Sequence, residues 1–152
     1  EQALACLQAN LRQAAEAGGL LGIGVLVEAI NPLDMPGFLI NSPEQLAALL
    51  EAVAHPNLAA QYDFYHMARQ GLDLRAGIEL LAGRIGHVQF ADCPGRGAPG
   101  SGELDFAAAL AALRQVGYRG WLGAEYRPGE GAGSASLAWL AEWRSQAGLL
   151  AQ

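Results

Sequence analysis

Four short apolar runs in the 152-residue sequence lead to groups that bind a hard cation or move a proton. Gly22 to Val27 stops at Glu28, and Asn57 to Tyr62 stops at Asp63. The run after Arg84 carries Gln89, with Asp92 just beyond, and the run from Gly120 stops at Glu125. His66 follows Asp63 by three residues. Carboxylates with an amide oxygen suit Mg2+ or Mn2+, which take oxygen ligands in octahedral geometry. Without a cation, clustered buried carboxylates repel one another and their pKa values rise. A lone acid at a strand tip is commonly a helix cap or a solvated loop residue. The same ending on every strand argues for a shared ligand.

The elements that must position these groups alternate. Residues 2–16 place Leu4, Leu7 and Leu11 at helical spacing, with Gly18-Gly19 as the expected stop. Ser42-Pro43-Glu44-Gln45 is a helix start: an N-cap, a proline at the first helical position and a glutamine placed for a capping box. Leu46, Leu49, Leu50 and Val53 then share one face, and His55-Pro56-Asn57 ends it. Phe64 to Gln70 reads as a helical turn, and Leu74, Ile78 and Leu81 mark a helix. Asp105 caps another, with Phe106, Leu110, Leu113 and Val116 inward and Gly117 closing it. Gly133 to Leu149 reads as the last helix, with Trp139 and Trp143. The loops at 31–37 and 93–102 are rich in glycine and proline.

Strands that alternate with helices imply parallel pairing through right-handed crossovers. Two architectures fit, a doubly wound sheet and a (βα)8 barrel. Counting back from the polar tips gives one small and polar face: Gly24, Leu26, Glu28; Ala59, Gln61, Asp63; His87, Gln89, Ala91; Gly123, Glu125. The other face is bulky, with Ile23, Val25, Val27, Leu58, Tyr62, Val88, Phe90 and Leu122. A barrel lumen with a polar site at the strand ends gives that asymmetry, whereas a doubly wound sheet is apolar on both faces. The expected fold is therefore an α/β TIM-type barrel. With four strands where a barrel needs eight, residues 1–152 are read as one domain forming its C-terminal half, either a piece of a longer chain or a unit that a second copy closes.

Composition narrows the function. The net charge of -6 and the absence of a basic run argue against a nucleic-acid surface. No apolar stretch is long enough to span a membrane, and the first residues read as amphipathic helix rather than as a signal peptide. All nine basic residues are arginine, so these residues offer neither a Schiff-base lysine nor a Walker lysine. Cys6 and Cys93 lack metal or disulfide spacing, and a reduced, cytoplasmic setting is expected. Nothing around Cys93 marks a lowered pKa. His87 reads as a packed, hydrogen-bonded core histidine, His55 as a surface one, and Trp121, Trp139 and Trp143 as core.

Glu28-Ala-Ile-Asn31 with Asp34-Met-Pro-Gly37, Gln61-Tyr-Asp-Phe-Tyr-His66, Gly86-His-Val-Gln89-Phe-Ala-Asp92, Gly100-Ser-Gly-Glu103 and Gly123-Ala-Glu125-Tyr126 together resemble the hydroxypyruvate isomerases. These belong to the xylose-isomerase-like TIM barrels, close to the ketose 3-epimerases. The resemblance runs from about Gly22 to Pro128. It implies a divalent metal on Glu28, Asp63, Gln89 and Glu125. It also implies Glu28 and Glu125 as acid and base, and His66, Arg96 and Asp92 on the substrate. A histidine stands at the Gln89 position in the sugar epimerases, which favours the hydroxypyruvate branch.

The implied reaction moves a proton between adjacent carbons of a small hydroxy-oxo acid through an enediolate, with no nucleic-acid or membrane partner and with room for homo-oligomerisation. A 2-oxo-tetronate isomerase or a ketose 3-epimerase is the alternative within the class. A half barrel with an incomplete site, inactive alone, is the alternative outside it.

Overall fold

The structure is a computed structural model, and it describes residues 1–129, 133 and 137–146. The element order is α1 (Gln2–Leu20), β1 (Val25–Glu28), α2 (Pro43–Val53), β2 (Leu58–Asp63), α3 (Phe64–Ala68), α4 (Leu74–Leu80), β3 (Ile85–Phe90), α5 (Phe106–Gln115), β4 (Leu122–Ala124) and α6 (Ala138–Gln146). All the strand pairs are parallel and the sheet order is β1-β2-β3-β4. In a doubly wound sheet the order reverses at a switch point. Here each strand adds to the same side of its predecessor, which is the winding of a barrel.

The buried core lies on the helix side. Ala60, Tyr62, Val88 and Phe90 point into it and meet Leu46, Leu49 and Val53 of α2, Ile78 of α4, and Phe106, Leu110 and Leu113 of α5. Trp139 and Trp143 pack on Phe90 with ring centroids 5.5 and 5.0 Å away. The opposite face stays open: Leu26 is exposed, and Ala59, Gln61, His87 and Gln89 are half-buried. The polar/bulky asymmetry expected of a lumen and an outer wall is therefore present. No helix among the described residues is long and apolar enough to cross a membrane.

Several local expectations are corrected. Helix α1 does not stop at Gly18-Gly19 but runs to Leu20. Gly18 serves close packing instead, because a Cβ there would lie 2.7 Å from the Ile23 carbonyl oxygen. Ser42 does cap α2, accepting from the Gln45 N–H, but the Gln45 side chain reaches back to Asn41 N (2.8 Å) rather than to Ser42. Trp121 is not core; it is 85% exposed at the start of β4. His87 lies on the open face, where its alternation places it, but is only half-buried rather than packed, with Nε2 against the position a Cβ on Gly123 would take. The last expected helix is described as Ala138–Gln146, and the remainder of its predicted span lies outside the described residues, apart from Gly133 and Leu137.

The strand tips are not level. Glu28 lies beside Gln61, while Asp63 lies beside Gln89 and Gln89 beside Gly123. Each step is an even number of residues, so all the polar tips keep the same face while climbing the sheet, as tilted barrel strands require. A bulge between Ala60 and Gln61 in the pairing with β3 makes this possible. It leaves Ile85 packed with the core and turns His87 and Gln89 to the open side. Gly86 sits at the bulge, where a Cβ would meet Leu26 Cδ2 at 2.6 Å.

Candidate metal centre

Asp63 ends β2 and caps α3: one carboxylate oxygen, Oδ1, accepts from Tyr65 N (2.7 Å) and His66 N (3.4 Å). Its other oxygen faces the open side, 3.9 Å from His66 Nε2. The first helical turn folds His66 back over the strand tip, which sequence separation alone does not show. Glu28, Asp63 and His66 offer ligand atoms that all lie within 4.8 Å of one another. Glu28 Oε2 accepts from Gln61 Nε2 (2.9 Å), whereas Glu28 Oε1 is buried with no partner. An orphaned carboxylate oxygen this close to a second carboxylate is costly unless a cation completes it. The donor set fits a divalent cation that prefers oxygen.

The electrostatics agree. Burial, then the Asp63 charge, pushes Glu28 up to about 7 from 4.5, against a lowering hydrogen bond from Gln61. Burial also raises Asp63, with His66 and the two backbone N–H groups pulling the other way. Burial holds His66 below its ordinary value, with the Asp63 charge pulling the other way.

The other expected ligands stand farther out. Gln89 Oε1 accepts from the same Gln61 amide that holds Glu28, so Gln61 bridges the two strands. Glu125, exposed beyond β4, is ion-paired with Arg96 Nη2 at 2.7 Å. Arg96 adopts a left-handed backbone (φ 54°), and its guanidinium lies 5.0 Å from the Tyr65 ring centroid. Glu28, His66, Arg96 and Glu125 line one cleft of about 690 Å3, whose apolar side includes Leu26, Ile30, Met35 and Phe38.

Asp92 does not join them. It is buried, with Oδ1 accepting from Cys93 N and Leu104 N and Oδ2 from Gly100 N, so it ties the 93–104 loop. Cys93 is not activated, since burial raises its thiol. Sequence reasoning missed Gln61 as a bridge and the group around Asp34. Asp34 accepts from Tyr65 Oη (2.6 Å), Arg69 Nε (3.2 Å) and Asn31 Nδ2 (3.1 Å). Asn31 and Asp34 do lie in the first recognisable motif, which was the available signal.

A parallel sheet wound in one direction, helices on one face and a carboxylate cluster at the strand ends of the other define a (βα)8-type barrel. The chain belongs to the xylose isomerase-like TIM barrel family, whose model matches residues 1–143. Hydroxypyruvate isomerase of Escherichia coli (strain K12) is 39% identical over 144 residues, covering 95% of this chain and 55% of that one. A 2-oxo-tetronate isomerase of Cupriavidus necator is 39% identical over 131 residues, covering 86% and 50%. Among solved structures, AP endonuclease, family 2 from Brucella melitensis superposes with a TM-score of 0.83 at 40% identity, over 90% of this chain and 52% of that one. The apo form of a 3-keto-D-glucoside 4-epimerase from E. coli gives 0.81 at 28% identity, over 91% and 53%. The chain spans about half the length of the curated relatives it matches.

Proposed function

We propose that the barrel to which this chain contributes is an intramolecular isomerase that interconverts hydroxypyruvate and 2-hydroxy-3-oxopropanoate. The observation that carries the reading is the unpartnered, buried Glu28 Oε1 beside Asp63 and His66. The likeness to the E. coli hydroxypyruvate isomerase supports it. Glu28, Asp63, Gln89 and Glu125 would hold Mg2+ or Mn2+. When bound, such an ion would supply Lewis-acid polarisation of the substrate oxygens and stabilisation of developing negative charge.

The chain's own residues do the rest. One of Glu28 and Glu125 takes the proton from the hydroxyl-bearing carbon, and the other returns a proton to the neighbouring carbon. The hydroxyl proton passes to the former carbonyl oxygen, so the atoms balance and the glutamates exchange roles in the reverse direction. Each positioned proton transfer contributes about 10²–10⁴-fold. Arg96, freed from Glu125, offers a bidentate fork to the substrate carboxylate. His66 meets a substrate oxygen from the side of α3.

A second reading, a 2-oxo-tetronate isomerase, has the Cupriavidus relative in its favour. A coupled assay of the full-length protein with Mg2+ or Mn2+ separates them, using hydroxypyruvate, 2-oxo-tetronate and ketoses as substrates. The highest kcat/KM is expected on hydroxypyruvate and is lost in Glu125→Gln. No turnover of any of these substrates in the presence of either metal would refute the isomerase reading.

A further inference from the structure

His66 can face the cluster either as a metal ligand or as a hydrogen-bond donor, and the ring's tautomer decides which. A protonated Nε2 has no lone pair for a cation, whereas an unprotonated one cannot donate to a substrate oxygen. The deciding contact lies on the far side of the ring. Asn31, fully buried in the loop after β1, places its Nδ2 2.7 Å from His66 Nδ1, and its backbone N–H lies 3.4 Å from the same atom.

The orientation of the Asn31 carboxamide is fixed by its other neighbours. Its Oδ1 accepts from Asp34 N (2.8 Å), and its Nδ2 donates to Asp34 Oδ2 (3.1 Å). Turned over, the amide would set a carbonyl oxygen against a carboxylate and an NH2 group against an N–H. Both contacts would be repulsive. Asp34 is itself held by Tyr65 Oη and Arg69 Nε, so the anchor is a rigid ion-paired group rather than a free loop acid.

We propose that Asn31, locked by Asp34, is a positioning residue that donates to His66 Nδ1. It thereby fixes the proton on Nε2, so that His66 presents an N–H to an acceptor oxygen of the substrate and is not a ligand to the metal. The cluster then offers a cation only oxygen donors: Glu28 and Asp63, with Gln89 and Glu125 from the neighbouring strands. The role of the substrate oxygen rests on the isomerase reading above; the tautomer does not.

The test is long-range 1H–15N correlation spectroscopy of the full-length protein labelled with 15N-histidine, recorded without substrate, metal-free and with Mg2+, well above the imidazole range. The His66 signals are assigned by their loss in His66→Asn. The expected pattern is a protonated Nε2 and an unprotonated Nδ1, unchanged by Mg2+. In Asn31→Asp a carboxylate replaces the donor, so Nδ1 acquires a proton and the pattern changes. kcat then falls about 10–100-fold, in the range of lost orienting contacts, while Mg2+ affinity stays within about twofold. A protonated Nδ1 in the wild-type protein overturns the proposal. So does an Asn31→Asp protein with an unchanged pattern, or with a changed pattern and undiminished kcat. The wild-type spectrum alone decides the tautomer if Asn31→Asp does not fold. Because it needs no substrate, its failure is distinct from a failure of the isomerase assay.

Discussion

The tip of β2 and the segment just past β3 both carry an aspartate almost wholly removed from solvent, Asp63 at 2% and Asp92 at 1% exposure. Their surroundings differ in one respect. Asp92 has both oxygens answered by backbone N–H groups of its own loop. Asp63 has one oxygen answered by the α3 amides and one turned toward Glu28 and His66. A fully answered buried carboxylate stabilises the chain that answers it. One that keeps a spare oxygen beside another carboxylate is poised for something the chain does not supply.

The largest expected effect breaks the satisfied side. Asp92→Ala strands three loop amides at about 1–3 kcal/mol each. Unfolding in urea should show a loss of about 3–5 kcal/mol, with metal affinity of the folded fraction unchanged. Next, His66→Ala should lower kcat about 100-fold, in the range of a lost general acid or donor, while leaving Mn2+ affinity within about twofold by calorimetry. Gly102→Ala probes the same loop more gently. A Cβ there would lie 2.3 Å from the Cys93 carbonyl oxygen and 2.6 Å from Asp92 Oδ1, and overpacking of this kind costs about 1–3 kcal/mol. Smallest, Trp121→Ser at an exposed site should change stability by no more than about 0.5 kcal/mol.

What was legible in the sequence follows the same division. The end of β2 at Asp63, the caps Ser42 and Asp105, and the bulky wall of Tyr62, Val88 and Phe90 are local or periodic signals, and the fold displays them. The order of the polar tips was legible too, because parallel strands bring their ends together. Their stagger was not, since it depends on a bulge at Gly86 that alternation cannot register. Gly18 resembles a stop signal yet serves a helix–strand approach, a difference visible only across the packing. Asp92 matched a motif, but its three amide partners come from a loop whose path the motif does not encode. Trp121 was misjudged because residue type predicts burial only on average.

Glu28 makes the folding of the metal-free protein depend on pH. Its carboxyl is pushed up to about 7, so folding favours the protonated form in the metal-free protein. That stabilisation is complete below the ordinary value of 4.5 and is lost as pH rises to about 7. A cation reverses the preference, because it must displace the proton.

Mn2+ titration of the full-length protein by calorimetry, at several pH values and beside Asp63→Asn, asks whether the spare carboxylate oxygens hold a cation. The spare oxygens of Glu28 and Asp63 predict affinity that climbs up to about tenfold per pH unit below about 7, and that Asp63→Asn weakens about 100-fold. Equal affinity in the two proteins, or binding indifferent to pH in this range, would contradict the account.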